Sequence, residues 1–397
     1  MSAVPNGVAA SRAGRIVFVG SETDFEARVR TTPDAVVVDA GGGTVLPGFI
    51  DPHTHVVYAG DRREELRRRL AGATYAEIAA SGGGILSTVR ATREASEDAL
   101  VDSARVRLAE MLRCGTTTAE AKSGYGLDTA TELKMLRAIR RLADVQPVDL
   151  AATFLGAHEI PKEYRDRRAD YIDLIVEEMI PSVAAGGLAE WCDVFCETGV
   201  YTPEESRLIL EAAGRAGLRL RIHADELAAS GGSEVAVQVG ARSADHLLFV
   251  QPGTARRMAD AGVVATLLPA AAFYLKLGRF APARMLIDTG VAVALATDIN
   301  PGGGFTPSMP FVMTLACFAM GMTLEEALVG ATLNAAHAIG RDADVGSLEP
   351  GKRMDAVIVD GEVVDLIRVG APSIAAVVKN GRVAAGARTS SAPTPPA

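Results

Sequence analysis

The chain has 397 residues, 48% hydrophobic and 22% charged, an ordinary globular composition long enough for one large barrel plus an appendage. Its formal net charge of −9 argues against non-specific binding to nucleic acid or to an anionic membrane surface. Four scattered cysteines, Cys114, Cys192, Cys196 and Cys317, give neither a disulfide framework nor a paired zinc knuckle, and the opening residues lack the apolar core of a secretory signal.

In chain order, 14–20 (GRIVFVG) and 35–42 (AVVVDAGG) read as short strands bounded by glycines. The next apolar run, 45–50, is suited to a buried strand and leads into LPGFIDPHTH (46–55). Side chains two apart on a strand share a face, so His53 and His55 stand together at its end. Two imidazoles held this way are a natural half of a metal site, but two polar residues in a turn would look the same, and this fragment leaves both readings open. Arg62 lies in the charge run DRREELRRR (61–69), a pattern that on its own reads as a solvated helix face. SGGGIL (81–86) lacks the Gly-Lys-Ser/Thr ending of a phosphate loop and reads as a mobile loop.

From residue 94 onward, helical patterns (94–113, 129–143, 203–216) alternate with apolar runs at 115–121, 148–158, 192–197, 218–225, 243–249, 262–269 and 291–298. With 45–55 as the first, these make eight strands joined through helices. That pattern predicts an α/β fold, a (β/α)8 TIM-like barrel. The most apolar stretches, near 263–275 and 309–322, are too short to span a membrane, and a reducing, cytoplasmic location is the default. Two more short strands, 354–361 and 374–384, close the chain. The expected division is a small β-sandwich domain from both ends (1–44 and 344–387), a catalytic barrel at 45–343 and a disordered Pro/Ser-rich tail at 388–397.

His158 ends the third predicted strand, His223 the fifth, His246 the sixth and Asp298 the eighth. The C-terminal strand ends of a barrel face one bowl, where its chemistry occurs. One polar residue on that rim is ordinary; several metal-competent ones at successive strand ends are hard to explain by chance. His337 sits on a predicted helix, outside this pattern, and reads as structural.

A His-x-His pair on strand one, histidines on strands five and six and an aspartate on strand eight resemble the amidohydrolase superfamily over nearly the whole chain. Within it, GDRREEL (60–66), TTTAEAKSGYGLD (116–128), HADELA (223–228) and DINPGG (298–303) resemble the imidazolonepropionases. The resemblance implies hydrolysis of 4-imidazolone-5-propanoate to N-formimidoyl-L-glutamate in histidine degradation, by attack of metal-bound hydroxide on the ring carbonyl. It implies His53, His55, His223 and Asp298 as metal ligands and Glu226, His246 and Asp298 as catalytic groups. It further implies Arg62, Tyr75, Tyr125, His158, Glu226, Asn300, Gly302 and Gly303 as substrate contacts. Binuclear members carry a carboxylated lysine on strand four; that strand here, WCDVFCE, has none, and Lys122 falls on strand two. One Zn2+ or Fe3+ per chain is therefore expected, together with a homodimer.

The residue types fit that chemistry on their own account. Water activation needs a base, for which Asp298 and Glu226 are candidates; the developing oxyanion needs a donor, such as His246; a propionate tail needs a cation, such as Arg62. The same residues have plainer readings: loop packing for Tyr125 and an exposed helix start for Glu226. Two features depart from the family. Gly303 and Gly304 stand where a Ser or Thr usually follows Asn-Pro-Gly, which leaves a backbone N–H to replace the hydroxyl, and the strand that usually precedes 14–20 is missing. The rivals are an aminohydrolase of a purine or pyrimidine ring, which has no carboxylate for Arg62 to meet, and a non-catalytic scaffold, which would not need an intact set of metal-competent residues.

Overall fold

A computed structural model describes residues 3–73, 77 and 83–386; Tyr75 and the tail from 388 lie outside the described residues. Eight parallel strands form one sheet in chain order: β4 (Phe49–Asp51), β5 (Thr116–Lys122), β6 (Asp149–Ala157), β7 (Trp191–Cys196), β8 (Arg219–Ala224), β9 (Ser243–His246), β10 (Val264–Leu267) and β11 (Val293–Leu295). The two edges meet just past the strands. Asp298 N–H donates to the His53 carbonyl at 3.2 Å and His55 N–H to the Ile299 carbonyl at 2.9 Å, which brings the segments carrying His53, His55 and Asp298 side by side. The chain is thus a (β/α)8 barrel, with helices such as Glu97–Arg113, Thr129–Val145 and Pro203–Arg215 outside it.

The period of two along each strand explains what fills this barrel. Glu120 and Lys122 share a face of β5, and Arg221 and His223 share a face of β8. With Asp193 of β7 and Asp245 of β9, they make a fully buried layer of charges beneath the histidines. The opposite strand faces supply the apolar core, which packs against the surrounding helices.

Both chain ends contribute antiparallel sheets. β3 (Thr44–Pro47) pairs with β12 (Ala356–Val359), which pairs with β13 (Ile374–Lys379) and through it with β14 (Arg382–Gly386). The run read as one strand from residue 45 therefore divides at Gly48: Thr44–Pro47 joins the small sheet and Phe49–Asp51 the barrel. A Cβ at Gly48 would collide with the Thr117 side chain, so the crossing needs glycine.

Two other strand expectations are corrected. A strand does precede the first predicted one: β1 (Gly7–Arg12) forms a hairpin with β2 (Arg15–Ser21). Its turn places Ala13 at φ 50° and Gly14 at φ 79°, the two positive values a two-residue hairpin requires. Alanine at the first of these, and small residues of weak strand propensity in β1, hide the signal. Conversely, 35–42 is not a strand; only Val37 enters a bridge, and Val36 is 75% exposed. Valines favour strands only where a pleated, half-buried surface awaits them, and none covers this run. Among the described residues, no helix is long and apolar enough to cross a membrane.

Candidate metal and substrate site

Five imidazoles converge at the C-terminal mouth of the barrel. Ring centroids lie 4.4 Å apart for His53 and His223, 5.2 Å for His223 and His246, and 5.3 Å for His53 and His55. His158 stacks on His55 at 5.0 Å, with Nδ1 2.9 Å from the Gly124 carbonyl. Asp298 Oδ1 is 3.6 Å from His55 Nε2 and 3.7 Å from His53 Nε2. The backbone is strained here: His246 has φ 77°, and Asp225 and Asp298 each have φ 52°. Non-glycine residues hold such angles only where their surroundings enforce them, as functional sites often do. His337 is elsewhere, 3.1 Å from both Arg242 Nη1 and Asp342 Oδ2, in the structural role its helix position implies.

These groups fit a cation. His53 Nε2 and Asp298 Oδ1, 3.7 Å apart, are both buried without a hydrogen-bond partner, a costly arrangement unless something positive completes it. Burial is the main cause holding His53, His55 and His246 well below the usual imidazole range, and it brings His158 to about 3, so the rings are neutral as metal ligands must be. Ligand atoms of His53, His55 and Asp298 lie within 4.8 Å of one another, and so do those of His53, His223 and His246. His246 thus lies within reach of an ion held by His53 and His223. A nitrogen–oxygen set of this kind suits zinc or iron.

Beneath the donors lies a layer that sequence reasoning left unassigned. Asp245 Oδ2 sits 2.7 Å from His53 Nδ1 and accepts from Arg221 Nη2 at 2.9 Å. The same Arg221 nitrogen donates to the Pro52 carbonyl at 2.6 Å, so side chain and backbone of His53 are held through one cation. Asp193 Oδ1 accepts the His223 backbone N–H at 3.1 Å; its Oδ2 lies 3.0 Å from His223 Nδ1, off the line of a straight hydrogen bond. Lys122 Nζ donates to Asp193 Oδ2 and to Glu120 Oε1, both at 2.7 Å. Burial alone would lower the Lys122 pKa, but Asp193 and Glu120 outweigh it and raise it, so the ammonium stays charged and unreactive toward carboxylation. The available signal was the i, i+2 spacing of charged and titratable residues, Glu120–Lys122 and Arg221–His223, inside predicted barrel strands.

Two outcomes follow from that layer. If His53 holds the metal, Asp245→Ala should weaken metal binding by about 10–100-fold, the usual effect of losing the carboxylate behind a ligating histidine. Chelator competition checks this, and unchanged affinity would reduce Asp245 to a packing role. Lys122→Met should cost about 3–5 kcal/mol of stability, because two carboxylates are left buried without their cation. Denaturant unfolding checks that.

Three of the expected substrate contacts, Asn300, Gly302 and Gly303, lie on the loop after β11. Asn300 Oδ1 accepts the N–H groups of Gly302 (2.8 Å) and Gly303 (2.6 Å), and its Nδ2 donates to the Asp298 carbonyl at 2.7 Å. Asn300 therefore clamps the loop, and the Gly303 N–H expected to replace a hydroxyl is already committed. A Cβ on Gly303 would meet only Leu275 side-chain atoms at 3.3–3.4 Å, whereas one on Gly304 would overlap the Asp298 carbonyl. The charge run is not a solvated face throughout: Arg62, Glu65 and Arg69 are buried, while Arg63, Glu64 and Arg67 are exposed. Tyr125 is buried, its ring centroid 5.2 Å from His158 and 5.8 Å from His55. Glu226 is buried in the bend after β8, not on an exposed helix, with Oε1 3.6 Å from His246 Nδ1. Burial, then the Asp298 and Glu197 carboxylates, push its pKa well above the usual range.

Comparison with known proteins agrees with this geometry. The amidohydrolase family profile matches residues 44–387. The imidazolonepropionases of Symbiobacterium thermophilum and Geobacillus kaustophilus are each 51% identical over 383 residues, covering 96% of this chain and 90% of theirs. Among solved structures, 5-methylcytosine deaminase from Klebsiella pneumoniae, liganded with 5-fluorocytosine, superposes with a TM-score of 0.74 at 16% identity, covering 98% of this chain and 96% of that one. A mutant atrazine chlorohydrolase from Arthrobacter aurescens, complexed with zinc and atraton, gives 0.72 at 20%, covering 95% and 90%. At such identities these two likenesses concern the fold alone.

Proposed function

This chain belongs to the amidohydrolase family and, within it, to the imidazolonepropionases, and from that premise we propose that it is a metal-dependent hydrolase opening the ring of 4-imidazolone-5-propanoate to N-formimidoyl-L-glutamate. The observation that carries the substrate assignment is Arg62, a buried guanidinium packed against Gly302 of the loop that also carries Asp298. A desolvated cation there suits a carboxylate tail.

In our reading His53, His55, His223 and Asp298 hold a single Zn2+ or Fe3+. The metal, when bound, acts as a Lewis acid and eases deprotonation of water. The chain's own groups do the rest. Arg62 grips the propionate, and Tyr125 and His158 line the ring's position beside His55. Asp298, pushed up to about 7 by burial, is poised to take a proton, and Glu226 to deliver one to the departing ring nitrogen. His246 donates to the carbonyl oxygen as charge develops on it. Asn300, Gly302 and Gly303 act through loop shape, with their amide groups already paired. A cytoplasmic homodimer completes the reading.

A substrate panel tests it. Imidazolone propanoate should be turned over, whereas purine and pyrimidine bases should release no ammonia. Faster deamination of a bare base would favour the aminohydrolase reading.

A further inference from the structure

Arg62 is held in an unusual way for a residue that opens a charge run. It precedes the helix Arg63–Leu70 and sits three residues before Glu65, with side chains 8% and 10% exposed. One carboxylate oxygen, Glu65 Oε2, lies 2.8 Å from both Nε and Nη2 of Arg62. The other, Oε1, accepts the Gly84 N–H at 2.8 Å. Both oxygens are thereby fixed, and the carboxylate cannot rotate without breaking one contact. Nη1 of Arg62 lies against Gly302, where any Cβ would overlap it. Arg69, seven residues on and on the same helix face, donates through Nη2 to the Gly302 carbonyl at 2.8 Å. Among the described residues, Glu65 alone pairs with Arg62.

A guanidinium has five N–H donors in a fixed fork. Glu65 takes the Nε/Nη2 edge through a single oxygen, which leaves the Nη1/Nη2 end, also able to meet a carboxylate bidentately, without a protein acceptor among the described residues. We propose that Glu65 is a positioning residue that determines specificity for carboxylate-bearing substrates by aiming the open edge of Arg62 along the loop after β11. The inference rests on the carboxylate-tailed substrate proposed above. Arg62 has several rotatable bonds, and a lone desolvated arginine would turn toward whatever acceptor it found. Fixing it from Gly84 on one side and Gly302 on the other spends that freedom before the ligand arrives.

Position and charge predict opposite signs. Removing the Glu65 charge leaves Arg62 a barer cation, so a purely electrostatic role would make carboxylates bind more tightly. A positioning role makes them bind more weakly. The metal-loaded protein is titrated with imidazole propanoate and with 4-methylimidazole, which lacks the carboxylate, and its melting temperature and metal content are recorded. Wild type should prefer the carboxylated probe. Glu65→Gln, and Glu65→Asp, which keeps the charge but cannot span Arg62 and Gly84 together, should each lose about tenfold or more of that preference, with binding of 4-methylimidazole and metal content unchanged. Glu64→Gln, on the exposed side of the helix, should change nothing. Tighter carboxylate binding in Glu65→Gln, or unchanged preference despite a lower melting temperature, overturns the positioning role alone. A wild type with no preference for the carboxylate overturns the substrate reading as well.

Discussion

His246→Ala and Glu226→Gln should each lower kcat by about 10²-fold or more, the usual scale for a lost oxyanion or acid–base group, while keeping about one metal per chain. The two side chains face each other, Glu226 Oε1 3.6 Å from His246 Nδ1, in a pocket where both are buried. Their environments push them in opposite directions. Burial keeps the His246 ring neutral, and burial together with Asp298 and Glu197 raises Glu226 so that it holds its proton. A neutral imidazole with an N–H can donate to a developing oxyanion, and a protonated carboxyl can give its proton to a leaving nitrogen. Interactions made mainly in the transition state appear in kcat more than in KM. Steady-state kinetics with metal analysis check this. His223→Ala, by contrast, should lose metal and activity together. Ligand atoms of His246 lie within 4.8 Å of those of His53 and His223. If His246→Ala strips the metal, His246 is a ligand and the division of roles changes.

Arg62→Met should lower kcat/KM by an amount equivalent to about 2–5 kcal/mol and leave metal content at the wild-type level. Methionine keeps most of the buried stem, so packing is largely spared and the loss falls on the guanidinium's contacts, the proposed one to the propionate among them. The mutant also leaves Glu65 with only the Gly84 N–H, so part of the cost is an unpaired buried carboxylate. Stability measured beside kinetics separates that part. A mutant with wild-type kinetics would return Arg62 to an ordinary helix end.

The barrel was legible because apolar runs and helical patterns alternate eight times, and the donors because His53, His55, His158, His223, His246 and Asp298 fall at strand ends. What stayed hidden depends on partners that a strand does not announce. Asp245 and Asp193 carry no motif of their own, and only the fold sets them behind His53 and beside His223. Arg221 drew no reading from the sequence and Lys122 only a place on strand two, yet both lie wholly buried. The charge run misled in part because only the 62/65/69 face turns inward, against a loop more than 200 residues away in sequence. Asn300 was identified as important by its motif, but its committed amide could not be seen without the loop's geometry.

The decisive measurement follows N-formimidoylglutamate released from freshly made imidazolone propanoate by the purified protein, before chelation, after it, and after metal is returned in counted equivalents. Product formation should disappear on chelation and recover fully at about one equivalent of metal per chain. Undiminished turnover by metal-free protein, or recovery that requires two equivalents, would contradict a one-metal mechanism.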